Sequence, residues 1–187
     1  MDDITAQLIG FVGTAILVVS YQQKSRKNLL LIQMGASAAF MTHFFLLGAY
    51  TGCIMNITGA MRAFIYANND KKWARSPVWM VIFFIVFGLA GYLTADAASY
   101  WWVFPTSFNS YWWLLPTAAM LLSTVSFWLK TPTLVRTLTF PASPMWLTYN
   151  IASGSISGMV TESFVIISIL VAIVRYDILK KKEVVAA

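Results

Sequence analysis

The sequence predicts an all-α membrane protein of seven transmembrane helices, built as two parallel three-helix repeats joined by a linker helix. Three observations predict this fold. Of 187 residues, 59% are hydrophobic and 11% are charged, whereas soluble domains carry roughly 25% charged residues. Apolar runs of about 18 to 22 residues recur along the chain, and each is long enough to cross a hydrocarbon core of about 30 Å as a helix. The chain also aligns with itself at a shift of 106 residues.

The apolar runs are interpreted as helices rather than strands. They are about twice as long as barrel strands, and backbone groups in lipid must be hydrogen-bonded within their own segment. The predicted spans are Ile4–Tyr21, Leu29–Leu47, Ala49–Ala67, Pro77–Thr94, Tyr111–Leu129, Leu134–Ala152 and Ser155–Tyr176. No signal peptide is expected, because the first run is not preceded by a basic segment.

The positions of Lys and Arg predict the orientation in the membrane. They lie between spans one and two, between spans three and four, around the start of span six, and from the end of span seven onward, which is one side for seven crossings. Of the 13 basic residues, only Arg62 falls outside these groups, inside span three, and the opposite side carries Asp2, Asp3 and Asp96 without Lys or Arg. The N-terminus is therefore expected outside and the C-terminus in the cytoplasm. The basic residues are expected to contact anionic headgroups there, and not nucleic acid.

The shift of 106 residues superposes spans one to three on spans five to seven without a gap. The identical pairs are Val19/Val125, Ser20/Ser126, Lys24/Lys130, Ala36/Ala142, Ser37/Ser143, Thr42/Thr148, Gly48/Gly154 and Gly52/Gly158. Two three-helix units separated by one span have the same orientation, so they are parallel repeats with a site expected between them near the midplane. The predicted organisation is a first repeat at 1–69, a linker helix with an outer aromatic loop at 70–109, a second repeat at 110–178 and a basic tail at 179–187.

The linker and the outer loop are expected to lie outside the site. The fourth span carries no strongly polar side chain and is expected to face lipid. The loop Ala95–Ser110 is rich in Tyr, Trp and Phe, which is typical of an interfacial aromatic belt. Ligand stacking is the alternative for this loop.

The layout of three helices, one helix and three helices resembles the SWEET, PQ-loop and PnuC-type transporter superfamily. More closely, Gly35–Tyr50 and a C-terminal pattern resemble the bacterial inner-membrane YgjV family over nearly the whole chain. That pattern consists of Trp146, Asn150, Gly154, Ser155, Ile156, Gly158 and Glu162. The resemblance implies an inner membrane protein with a transporter-like fold. The chain departs from the PQ-loop pattern, since Tyr21-Gln22 and Phe127-Trp128 stand where Pro-Gln is expected.

Glu162 and Asn56 are the first candidates for a substrate site. Glu162 lies about seven residues, or roughly 10 Å, into span seven. A carboxylate at that depth costs at least about 2.5 to 3.5 kcal/mol, so it should face the interior as a substrate or proton site. Asn56 is its repeat counterpart, and SWEET-like carriers place an Asn on the third helix of each repeat. Interhelical hydrogen bonding is the alternative for both.

Four more side chains complete the predicted site. His43 and Tyr149 are a repeat pair close in depth to the first two candidates; His43 could exchange a proton or donate to a ligand, or be a buried, neutral and satisfied side chain. Trp146 and Asn150 are spaced i, i+4 and share a helix face that would form a pocket wall. The predicted substrate-binding residues are thus Asn56, Glu162, His43, Asn150, Trp146 and Tyr149.

Other conspicuous residues are expected to be structural. Arg62 lies six residues beyond Asn56, about 240° around the helix, so the two should not share a face. Arg62 is therefore expected to pair with a carboxylate or to extend toward the cytoplasm. The four repeated glycines have small-x-x-x-small spacing, which predicts close helix packing.

The sequence contains no recognisable catalytic constellation. One His and one Cys cannot form a His/Cys metal set, and no Gly-rich phosphate loop is present. No enzyme activity and no cofactor are predicted. The first hypothesis is a small transporter or facilitator of a small polar metabolite. The alternative is a non-transporting receptor or an accessory subunit, because fold alone does not set function and the KDEL-receptor branch is similar in fold. A homo-oligomer or a membrane partner is compatible with either.

Overall fold

The computed structural model of the chain describes residues 3–21, 23, 25–94, 111–129 and 132–174. These residues form seven α-helices and no strand. The helices are α1 (Asp3–Tyr21), α2 (Arg26–Leu46), α3 (Tyr50–Ala67), α4 (Val78–Leu93), α5 (Leu114–Trp128), α6 (Pro132–Ala152) and α7 (Ile156–Ala172). The prediction of seven helices is confirmed for this part of the chain. Three predictions lie outside the described residues: the end of the seventh span at Tyr176, the aromatic loop Ala95–Ser110 and the basic tail at 179–187.

The helices present an apolar outer surface. By length and hydropathy, Lys27–Leu46 qualifies as a membrane span among the described residues, with 20 residues and a hydropathy of 1.6. Four further apolar helices of 10–17 residues are Ile4–Ser20, Val78–Leu93, Leu114–Trp128 and Ile156–Val171. Large apolar side chains on them point outward, and Ile4 and Leu93 are 71% and 76% exposed. Such a continuous apolar exterior is typical of a protein surrounded by lipid.

The helices pack as two three-helix units. In the first unit α2 packs against α1 and α3, and in the second α6 packs against α5 and α7. The units meet where α1 packs against α7 and α3 packs against α5. Helix α4 contacts α3 and α5 and buries Phe83, Phe87 and Gly91, a stripe at i, i+4 and i+8. The remaining large side chains of α4 are mostly exposed, which confirms the expected outward face of the fourth span.

Two glycines form equivalent turns after α2 and α6. Gly48 has φ +70° and Gly154 has φ +69°, a left-handed conformation that glycine adopts without steric cost and that commonly ends helices. A Cβ atom at either position would have no atom within 4 Å. The packing role predicted for these two glycines is therefore wrong, because they supply a backbone conformation.

The other two repeated glycines are packing positions, as predicted. A Cβ at Gly52 would lie 2.9 Å from atoms of the Phe44 and Tyr149 rings, and one at Gly158 would overlap the Asn150 amide. Both glycines lie in the first turn of a helix, α3 or α7. The α6 side chains Tyr149 and Asn150 can therefore approach these helix starts closely.

Candidate functional site

A cavity of about 190 Å³ lies between the two three-helix units. Its described lining comes from every helix except α4. Fourteen of the 20 lining residues form seven pairs that are 106 positions apart in the sequence. These pairs are Leu17/Ser123, Ala36/Ala142, Ser37/Ser143, Phe40/Trp146, Phe44/Asn150, Asn56/Glu162 and Gly59/Val165. The two units therefore contribute equivalent positions to one cavity.

The cavity contains four of the six predicted site residues: Asn56, Glu162, Asn150 and Trp146. Glu162 is half-buried, and Ser143 on α6 lines the same cavity. The Asn56 amide donates to the Gly52 carbonyl of its own helix at 2.9 Å. Trp146 stacks on Phe44 with ring centroids 6.3 Å apart, so an aromatic surface adjoins these polar groups.

Asn150 provides a buried acceptor in this wall. The residue is 3% exposed, and its Oδ1 atom has no hydrogen-bond partner. Nearly all buried polar groups in proteins are hydrogen-bonded, so an unpaired oxygen in a cavity wall requires an explanation. A donor group on a bound solute would supply the missing hydrogen bond.

Arg62 also lines the cavity, which corrects the expectation that it lies apart from Asn56. Arg62 is 5% exposed, and its Nη1 donates to the Met120 carbonyl at 3.0 Å and to Thr124 Oγ1 at 2.8 Å. These partners hold the guanidinium against α5. Gly59, which also lines the cavity, lies three residues from both Asn56 and Arg62, so the three residues form one i, i+3 row along α3.

The Arg62 guanidinium is enclosed by aromatic rings. Its Cζ atom lies 5.4 Å from the ring centre of Phe87 and 4.9 Å from that of Phe127. These distances are within the range of cation–π attraction. The signal in the sequence was that Arg62 is the one basic residue that falls outside the groups of Lys and Arg on one side of the membrane.

His43 is not among the residues that line the cavity. It lies in the last turn of α2 and contacts α1 and the start of α7. The side chain is fully buried. Its Nδ1 lies 2.6 Å from the Ala6 carbonyl oxygen, which only accepts, so Nδ1 carries the proton. Its Nε2 accepts from the Ser155 hydroxyl at 2.7 Å. His43 therefore connects α2 to α1 and to the start of α7.

Tyr149 likewise lies outside the cavity lining and reaches the start of α3. The side chain is fully buried. Its hydroxyl oxygen accepts from the Gly52 backbone N–H at 2.7 Å, and the hydroxyl donates to the Ala49 carbonyl at 3.4 Å. The predicted pair His43 and Tyr149 thus lies near helix ends, and each side chain forms a hydrogen bond with the other unit.

A comparison with known protein families identifies the family of this chain. A family model described as a bacterial inner membrane protein, Imp-YgjV, matches residues 4–180. The chain belongs to this family. The YgjV assignment confirms the resemblance noted in the sequence and establishes a bacterial inner membrane protein. No curated protein and no solved structure matches the chain significantly.

Proposed function

We propose that this YgjV-family protein is a multi-pass transporter that moves a small polar solute through the cavity between its two three-helix units. The observation that carries the proposal is the paired lining, with seven positions from each unit around one space. Membrane transporters built from parallel repeats bind their substrates at such an interface. The cavity also combines charged, amide and aromatic side chains, which is typical of a solute site.

The proposal treats the two units as parallel repeats of the SWEET and PnuC type. Two cross-unit bonds support a pseudo-two-fold relation, because they join equivalent positions in opposite directions. Helix α2 of the first unit reaches the start of α7 through His43 and Ser155. Helix α6 of the second unit reaches the start of α3 through Tyr149, whose hydroxyl donates to the carbonyl of Ala49, the equivalent of Ser155, and accepts from the Gly52 N–H.

The proposed orientation has the N-terminus outside and the C-terminus in the cytoplasm. Exposed Lys27 precedes most of α2, and exposed Lys71, Lys72 and Arg75 follow α3, which places them at one end of the antiparallel pair α2 and α3. The positive-inside rule assigns that end to the cytoplasm, where it contacts anionic headgroups. The cross-unit bonds of His43 and Tyr149 then lie at the outer end.

This arrangement suggests how the transporter opens. At the outer end, His43 and Tyr149 hold the units together, and Gln7 of α1 adds bonds to the Gly154 carbonyl at 2.8 Å and the Ile156 N–H at 3.0 Å. Breaking these bonds while closing the opposite end would expose the cavity outward. Rocking of one unit against the other around a fixed site is how repeat-built transporters achieve alternating access. No covalent step and no cofactor enters the proposal.

Solute flux into proteoliposomes tests the proposal. Uptake of radiolabelled glycerol, glucose, alanine, choline and pyruvate is compared between protein-containing and protein-free vesicles. We expect at least one solute to enter faster with protein. Glu162→Gln and Asn56→Ala should reduce that uptake at least about tenfold, because the first removes the ionisable carboxyl group from the cavity and the second removes the amide. Asp70→Asn, on the exposed turn after α3, is the matched control and should transport normally.

Two results would count against transport. Equal flux in wild type and both cavity variants would show that Glu162 and Asn56 do not take part in transport. Solute binding to purified protein without any flux would instead favour a receptor or an accessory subunit.

A further inference from the structure

We propose that the cavity binds a small zwitterion, with the ammonium group of the solute at Glu162 and its carboxylate at Arg62. This inference rests on the proposed function only in taking the cavity as the solute site. It assigns a chemical class to the solute. The assignment follows from the hydrogen-bonding capacity that each charged side chain leaves unused.

The Glu162 end of the cavity presents acceptors. Glu162 and the uncharged Ser143 both line the cavity, and an ionised carboxylate has about four acceptor positions. The Asn150 Oδ1 in the same cavity has no donor. An ammonium group carries up to three donors and a positive charge, and so supplies what these two oxygens lack.

Aromatic rings adjoin the same end. Phe44 and Trp146 both line the cavity and stack on each other. The face of an aromatic ring attracts a cation within about 6 Å. These rings therefore favour an ammonium group near Glu162 over a neutral hydroxyl.

The Arg62 end of the cavity presents donors. A guanidinium has five N–H donors. Nη1 is occupied by the Met120 carbonyl and Thr124. Nη2 has a long contact of 4.0 Å to the Met120 sulfur, and Nε has no partner. The Nε and Nη2 edge thus lacks an oxygen acceptor, and a carboxylate can accept two parallel hydrogen bonds from such an edge.

Charge balance and size select the zwitterion among charged solutes. Among the residues that the structure describes, the cavity lining carries one acidic and one basic side chain. A solute with only one charge would leave one of them uncompensated in a low-dielectric setting, where unpaired charges are costly. A volume of about 190 Å³ lies below the range of about 300 to 1,000 Å³ that is typical of pockets for drug-sized ligands. The solute is therefore a small amino acid-like molecule rather than a peptide.

Ligand-dependent unfolding of the full chain in detergent tests the class of solute. The zwitterions are glycine, alanine, serine and proline at millimolar concentration. The comparison compounds are ethylamine, which lacks the carboxylate of alanine, propionate, which lacks its ammonium group, and uncharged glycerol. Binding to the folded state raises the unfolding temperature. We expect at least one zwitterion to raise it, and ethylamine, propionate and glycerol to have no effect.

Charge variants then locate the two groups. Glu162→Gln and Arg62→Lys should each raise the Kd of the zwitterion at least about tenfold, since each weakens a charge-assisted contact. Arg62→Lys keeps the positive charge but removes the two-donor edge. The matched controls, Asp70→Asn and Arg75→Lys, are the same kinds of substitution at exposed positions and should leave the Kd unchanged.

The outcomes separate this inference from the transport proposal. Stabilisation by ethylamine, propionate or glycerol equal to that by the zwitterions would overturn the inference, as would the absence of binding by all four zwitterions. Transport of glycerol or glucose without zwitterion binding would overturn the inference and leave transport standing. Zwitterion binding without flux in proteoliposomes would leave the inference standing and overturn transport.

Discussion

Helices α3 and α7 begin at equivalent positions, yet the backbone N–H groups of their first turns have different hydrogen-bond acceptors. The residue before α3 is Ala49, which has no side-chain acceptor, and the Gly52 N–H is bound by Tyr149 from the other unit. The residue before α7 is Ser155, whose hydroxyl oxygen accepts from the Gly158 N–H at 3.0 Å. That hydroxyl then donates to His43 from the other unit. The first-turn N–H groups of a helix need such partners.

Residue changes at one helix start are compensated by residue changes in the other unit. Alanine at one helix start is matched by a tyrosine hydroxyl from across the interface, and serine at the other is matched by a histidine acceptor. The turns themselves use the same glycine conformation. The framework is shared, while the charges are divided: Arg62 comes from the first unit and Glu162 from the second.

Removing His43 should have the largest effect on stability. His43→Ala deletes a fully buried ring and its bonds to Ala6 and Ser155. We expect a loss of about 3 kcal/mol, the cost of truncating a large buried side chain. The unfolding midpoint of the purified protein measures this loss. Thr42→Ala is the control, because the Thr42 hydroxyl bonds only within its own helix; an equal loss in both variants would refute the bridging role.

Removing the Tyr149 hydroxyl should cost less and should be repairable. Tyr149→Phe leaves the Gly52 N–H without its partner, at an expected cost of about 1 to 3 kcal/mol. Adding Ala49→Ser introduces the acceptor that Ser155 provides at the equivalent position. We expect the double variant to regain part of the lost stability in the same unfolding measurement. If Ala49→Ser destabilises the Tyr149→Phe variant further, the compensation between the units is refuted.

Substituting the turn glycines should have the smallest effect, and an equal one in both units. Gly48→Ala and Gly154→Ala place a Cβ at a positive φ, which costs about 1 to 2 kcal/mol. No neighbouring atom opposes the added Cβ at either site, so the cost is conformational. Unfolding midpoints that differ between the two variants by more than the error would show that the turns are not equivalent.

The fold was largely predictable from the sequence because hydropathy and chain length constrain membrane helices strongly. Each described helix end lies within three residues of its predicted position, except at α7, whose predicted end lies outside the described residues. The outward face of α4 was predictable, because its sequence carries no strongly polar side chain; its buried stripe of Phe83, Phe87 and Gly91 is narrow. The roles of Gly48 and Gly154 were not readable from small-residue spacing, because spacing does not report φ.

The site was predictable only in part, because side-chain reach and partner geometry decide it. Asn56, Glu162, Trp146 and Asn150 face a common cavity, which the helix period and the repeat offset anticipate. The angle between Arg62 and Asn56 predicted different helix faces, whereas both residues line the cavity. His43 has the depth expected of a site residue, but its direction toward Ala6 and Ser155 depends on how the units pack.

An experimental structure of the full chain with a bound solute would show whether the cavity holds a zwitterion. The protein is prepared with a saturating concentration of the zwitterion that stabilises it most. We expect non-protein density in the cavity between the two units, within hydrogen-bonding distance of Glu162 at one end and Arg62 at the other. A cavity filled by its own side chains, with no density between those two residues, would contradict this expectation.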